Sequence, residues 1–238
     1  MSKTWIFVIV LLSPIWSRPA WAACTNLPQK TPTERWALAE CFFKSGSILR
    51  AAEALDQMVD AHPREIEAAA TGAWLYWQES TRVGGSEEKK RIEQALGLLS
   101  RARSANPSSW ELYTEIGDFY SLRLNQADQA YAFYLKAREL ASGDSSRKIP
   151  EASPGRKAAI ENRIARSAEQ LDRKGEAVEA SCRALFFDPD DATAKRRVEK
   201  LFGSCVRKQV KNPSQANSKN EDKAPEATNP QPAKTSKP

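Results

Sequence analysis

Small and apolar residues recur between residues 32 and 190 with a helical rhythm nested inside a longer one. Three alanine-rich runs stop at a proline: 58-MVDAHP-63, 102-ARSANP-107 and 184-ALFFDP-189. Twelve, eight and five residues before each proline stand Ala51, Leu55 and Met58, then Ala95, Leu99 and Ala102, then Ala177, Ser181 and Ala184. Steps of four and three residues hold side chains on one helix face, so each run predicts an amphipathic helix. Ala130, Tyr134 and Ala137 keep the spacing without a proline. Each run follows another helical stretch with a small residue at Ala39, Ala73, Gly117 or Ala165, where only a small side chain lets two crossing backbones approach. Phe42, Tyr76 and Tyr120 fill the space one turn on, and Gly72 is an alternative to Ala73 in the second unit.

The pattern predicts four helix–turn–helix units. Their prolines stand 44 and 82 residues apart, more than one and two lengths of a repeat of about 34 residues. The surplus is expected in two loops, 80-STRVGGSEEKK-90 and 142-SGDSSRKIPEASPG-155, rich in turn-forming residues. Gly175 is expected in the turn inside the fourth unit. The stretch 192-ATAKRRVEKLFGSCVRKQ-209 reads as a final capping helix, with Val198, Leu201, Phe202 and Cys205 on one face and basic residues on the other.

In the third unit Tyr113, Ile116, Gly117 and Tyr120 match in kind the W-x-x-L-G-x-x-Y pattern of a repeat's first helix. The chain resembles the tetratricopeptide repeat family over about residues 32–190. The resemblance implies an all-α, right-handed solenoid, here about four repeats plus cap over 32–209, which must stack because one unit cannot bury its apolar face alone. It also implies a concave groove, lined by the first helix of each unit, that takes extended peptides or partner helices. By register the groove positions are Trp36, Glu40, Phe43 and Lys44, then Trp74, Trp77 and Gln78, then Thr114, Asp118 and Ser121, then Asn162, Arg166 and Glu169. Trp74 and Trp77 lie three apart and serve equally well as binding anchors or as core filler. Trp36 and Glu40 stand where the family's carboxylate clamp needs Lys and Asn, so binding of a terminal carboxylate is not implied.

The N-terminus changes the setting. Lys3, the apolar 5-WIFVIVLL-12, the break at Ser13-Pro14 and 20-AWA-22 read as a signal peptide over residues 1–22, cleaved before Ala23. An uncleaved anchor is one alternative. A lipoprotein lipidated on Cys24 is another, although Trp21 stands where that signal wants leucine. The expected location is therefore periplasmic or secreted, with residues 23–31 as a linker. Disulfides persist in that compartment. Four cysteines allow three connectivities, and proximity favours Cys24 with Cys41 and Cys182 with Cys205 over free buried thiols.

The net charge of +6 and pI of about 9.1 come from the leader and the tail. From Arg207 onward there are seven basic and three acidic residues, while the region between leader and tail carries 27 of each sign. A nucleic-acid partner is thus not expected. The tail, residues 210–238, has no aromatic residue and no apolar period and is expected to be disordered.

No enzyme, metal site, cofactor or small-molecule substrate is expected. His62 is the single histidine, beside Pro63 in an inter-unit turn, and no phosphate-cradling loop, GxSxG or HExxH is present. Glu79-Ser80 resembles the start of the lytic transglycosylase signature, but no residues remain for that domain. The expectation is a non-catalytic protein–protein interaction scaffold of the bacterial cell envelope. Alternatives are a lipid-anchored subunit of an outer-membrane or pilus assembly machine, or an accessory factor for cell-wall enzymes. Membrane association requires a lipidated Cys24 or an uncleaved signal.

Overall fold

The computed structural model describes residues 20–143, 149–202 and 205, and the bulk of the expected signal peptide and the tail lie outside that range. Among the described residues the α-helices pair in sequence: α1 (Pro32–Lys44) with α2 (Ile48–Ala61), α3 (Ile66–Ser80) with α4 (Gly85–Ala105), α5 (Trp110–Leu122) with α6 (Ala127–Ala141), and α7 (Pro154–Gln170) with α8 (Lys174–Phe187). The last, α9 (Ala192–Phe202), packs on α8. Each pair also packs on the next, which makes an all-helical solenoid. None of the described helices is long and apolar enough to cross a membrane.

All of the register residues counted from the prolines are buried, from Ala51, Leu55 and Met58 through Tyr134 to Ala177, Ser181 and Ala184. The prolines themselves set the inter-unit turns. A residue before proline is driven out of the α region, and His62, Asn106 and Asp188 leave their helices at φ −136°, −131° and −138°. Each carbonyl then accepts from the backbone N–H three residues on, at Glu65, Ser109 and Asp191. One geometry is used three times.

The turns inside the units rest on a left-handed residue after the helix. Gly46 at φ 79° follows α1, with Gly46 N–H donating to Phe43 O and Ser47 N–H to Phe42 O. Asp172 at φ 55° does the same after α7, with Arg173 N–H donating to Ala168 O. Gly175, expected in this turn, lies in the first turn of α8 instead. Aspartate tolerates the left-handed region, so no glycine was required.

Two other expectations shift. The surplus near 80–90 is mostly helix: α4 runs for 21 residues where α2 has 14. Glu87 and Glu88 in its first turn favour the helix dipole, and Glu87 pairs with Arg91 one turn on. The stretch 23–31, expected as a linker, begins within a 3-10 helix (Ala20–Asn26) whose Cys24 is buried and bonded to Cys41. Cys182 is bonded to Cys205.

Buried small residues mark the close approaches. At Gly117 a Cβ would lie 2.4 Å from the Tyr134 ring, so the bare backbone is what admits the tyrosine. In α3 both Gly72 and Ala73 are buried, and the tight contact is at Gly72, where a Cβ would meet Leu98 at 2.7 Å and Leu55 at 3.3 Å.

Candidate functional site

Three recesses share the face of α3. The first, about 270 Å³, lies between α1 and α3 and is walled by Trp36, Glu40, Phe43, Thr71 and Trp74 over a floor of Ala39, Leu55 and Leu75. The second, about 250 Å³, opens on the other side of α3, where Trp74 and Thr71 face Glu115, Asp118, Phe119 and Leu122 of α5. The third, about 500 Å³, continues that trough toward the helix N-termini between Ile66, Glu67, Ala70 and Thr71 and the carboxylates Glu111 and Glu115. Trp74 and Thr71 therefore stand as a ridge with a recess on each side.

Four of the residues expected from the sequence meet at the first recess. Trp36, Glu40, Phe43 and Trp74 surround it, and the Phe43 and Trp74 ring centres are 6.2 Å apart. Phe43 is 44% exposed, so its ring is available at the rim of the recess. Glu40 and Lys44 form an exposed ion pair at 2.6 Å. Trp77 lies outside the recesses. The Arg123 guanidinium stands 4.6 Å from its ring centre, and the indole, like those of Trp36 and Trp74, packs against the core. Gln78 has its Oε1 buried without a hydrogen bond among the described residues.

The expected residues of the third and fourth units are mostly committed elsewhere. Thr114 and Ser121 are buried, and the Thr114 hydroxyl donates to the Trp110 carbonyl. Asp118 reaches the second recess but accepts from the Tyr134 hydroxyl at 2.7 Å and from Arg163 Nε at 2.8 Å. This node joins α5, α6 and α7. Burial and the neighbouring carboxylate push the Tyr134 hydroxyl pKa up, and the hydrogen bond to Asp118 holds Arg163 more firmly protonated. A matching node joins α2, α3 and α4, where Asp56 accepts from the Tyr76 hydroxyl and pairs with Arg101.

Asn162 and Glu169 face the cap. Asn162 donates to Asp191 and accepts from Arg197, whose Nε donates to Glu169 at 2.7 Å. Arg197 is thereby drawn inward, against the expectation that the basic residues of this helix all face out. Arg166 is exposed on α7, away from the recesses.

Sequence reasoning missed the carboxylates of the trough. Glu67 on α3 and Glu111 and Glu115 on α5 line it, and none of them forms an ion pair among the described residues. The Glu115 pKa is raised, first by partial removal from water and then by Asp118, with Arg163 opposing. A signal was present. Glu111 and Glu115 are like charges one turn apart, which disfavours an isolated helix, and no basic residue between Ile66 and Ser80 offsets them.

The sequence matches no family model and no curated protein. Among solved structures, one similar to this chain is TTC0263, a thermophilic TPR protein of Thermus thermophilus. It is 24% identical with a TM-score of 0.51, and the match covers 72% of this chain and 81% of that one. PilF of Pseudomonas aeruginosa is 15% identical with a TM-score of 0.50, covering 71% of this chain and 67% of that one. The helix–turn–helix solenoid is the tetratricopeptide-repeat fold.

Proposed function

We propose that this tetratricopeptide-repeat fold serves as a non-catalytic interaction scaffold of the bacterial cell envelope, periplasmic or secreted, and receives an extended peptide or helix of a protein partner along α3. The observation that carries the reading is the ridge of Trp74 between two recesses, with Trp36 and Phe43 beside it. Aromatic side chains that are partly buried and partly open supply large contact area at low entropic cost, the usual make-up of a binding anchor. Two disulfides at the two ends of the repeat array suit an oxidising compartment, which supports the envelope setting. A lipid anchor on Cys24 would need the sulfur that is bonded to Cys41, so the anchored alternative is disfavoured.

The test is capture from envelope extract with the mature chain and its Trp74→Ala variant. Trp74 is partly exposed, so the variant is expected to keep its helical circular dichroism. It should lose at least about 2 kcal/mol of partner affinity, the scale of an interface hot spot. Capture unchanged by Trp74→Ala would remove α3 as the recognition surface.

A further inference from the structure

The recesses on the two sides of Trp74 differ in chemistry. The α1–α3 recess is apolar, with Trp36, Phe43 and Trp74 at its rim. The α3–α5 trough is acidic, with Glu67, Glu111 and Glu115 along it, and Arg123 at its far end is the single cation among the described residues that line it. Ion pairs are common elsewhere in this molecule. Asp56, Asp118, Glu161 and Glu169 each hold an arginine, and Glu40 and Glu87 each hold a basic residue one turn on. Among the described residues the three trough carboxylates are left out of that pairing, and Glu111 accepts from the Ser109 hydroxyl at 2.9 Å. Burial and Asp118 raise the Glu115 pKa against the opposing Arg163, and a cation brought beside Glu115 would favour its charged form. An apolar cup beside a trough with three carboxylates outside any ion pair among the described residues is complementary to a segment that is apolar at one point and positive at the next.

We propose that the face of α3 binds a peptide segment carrying lysine or arginine beside an apolar anchor, the anchor seated between Trp36, Phe43 and Trp74 and the cation among Glu67, Glu111 and Glu115. This rests on the scaffold reading above and names the class of its partner. The cation confers orientation and on-rate, because exposed charges steer association more than they strengthen it. The aromatic recess confers most of the affinity.

The experiment selects random twelve-residue peptides displayed on phage with the disulfide-bonded mature chain, the Glu67→Gln/Glu115→Gln variant and the Trp74→Ala variant. The expected result is enrichment of Lys or Arg beside an aliphatic or aromatic residue on the parent. The best synthetic peptide should bind the Gln variant several-fold to about tenfold more weakly, the worth of two exposed ion pairs, and the parent's affinity should fall with added salt while the variant's falls less. Peptides enriched without Lys or Arg, or bound equally by the Gln variant, overturn the charge assignment and leave peptide binding intact. Enrichment of nothing, or of peptides indifferent to Trp74→Ala, overturns both readings. Displacement of the selected peptide by a synthetic copy of residues 207–238, which are themselves basic, would assign the trough to the chain's own tail and overturn a separate partner.

Discussion

Gly117 shows how much of a repeat can hang on one missing methyl group. Its backbone lies against the ring of Tyr134, and that ring is fixed by burial and by its hydroxyl bond to Asp118. In Gly117→Ala the tyrosine cannot swing away without breaking this bond. Overpacking of this kind costs about 1–3 kcal/mol, and the better helix propensity of alanine returns roughly 1 kcal/mol of it. A melting temperature lowered by several degrees is expected in a thermal scan; an unchanged or raised one would show that Tyr134 has room to move. Gly117 was readable in advance because it repeats a position also held by Ala39 and Ala165. Asn162 and Arg197 were not. They meet across 35 residues, and spacing within one helix carries no information about a partner on another. The same holds for Asp118, which reads as a groove residue by register but is claimed by Tyr134 and Arg163.

Among the elements, α9 is held at its N-terminus by a side-chain cap. Asp191 caps its N-terminus, accepting from the Thr193 and Ala194 N–H groups at 2.8 and 3.0 Å, and also accepts from Asn162. Partial burial works against its ionised form, but these hydrogen bonds outweigh it and hold the carboxyl below its ordinary pKa. A carboxylate with a lowered folded pKa stabilises above its unfolded pKa, and that contribution disappears as pH falls through the folded value. Asp191→Ala should therefore cost about 1 kcal/mol at neutral pH, and Asp191→Asn much less, because asparagine caps as well. In acid, below the usual carboxylate range, the parent should lose protection in α9 while Asp191→Asn holds it. Amide hydrogen exchange of α9 at neutral and acidic pH checks both. Glu161 acts in the opposite sense. Burial raises its pKa despite Arg183 and Arg138, so its contribution is largest at low pH and is lost as pH rises through the folded value. The parent–Asn comparison isolates Asp191 from that background. At this scale the helices were legible from periodicity, whereas the first turns of α4 were not. The Gly84-Gly85 pair reads as a breaker, and only the pairing of Glu87 with Arg91 reveals the helix that follows at once.

For the whole molecule, a row of stacked units ordinarily loosens from its ends, since a terminal unit has one neighbour instead of two. Here each end carries a staple: Cys24–Cys41 ties the N-terminal turn to α1, and Cys182–Cys205 ties the segment after α9 to α8. Loops closed over separations of 17 and 23 residues are each worth about 3 kcal/mol by chain entropy when unstrained. Reduction should lower the melting temperature and move the fastest-exchanging helical amides to α9; exchange that is the same with and without reductant would mean that the ends were never held by sulfur. The repeat order and the pairing of the cysteines could be anticipated from spacing alone. The acidic trough was signalled only by the like charges Glu111 and Glu115 one turn apart, because it exists only once α3 and α5 lie side by side.

With both ends held, the least protected interior junction is where α4 meets α5, which pack only lightly on each other. Within residues 20–202 of the oxidised chain, limited proteolysis would then begin at the turn around 106–109. There a protease would divide the repeat array into two fragments, each still closed by a crosslink of its own.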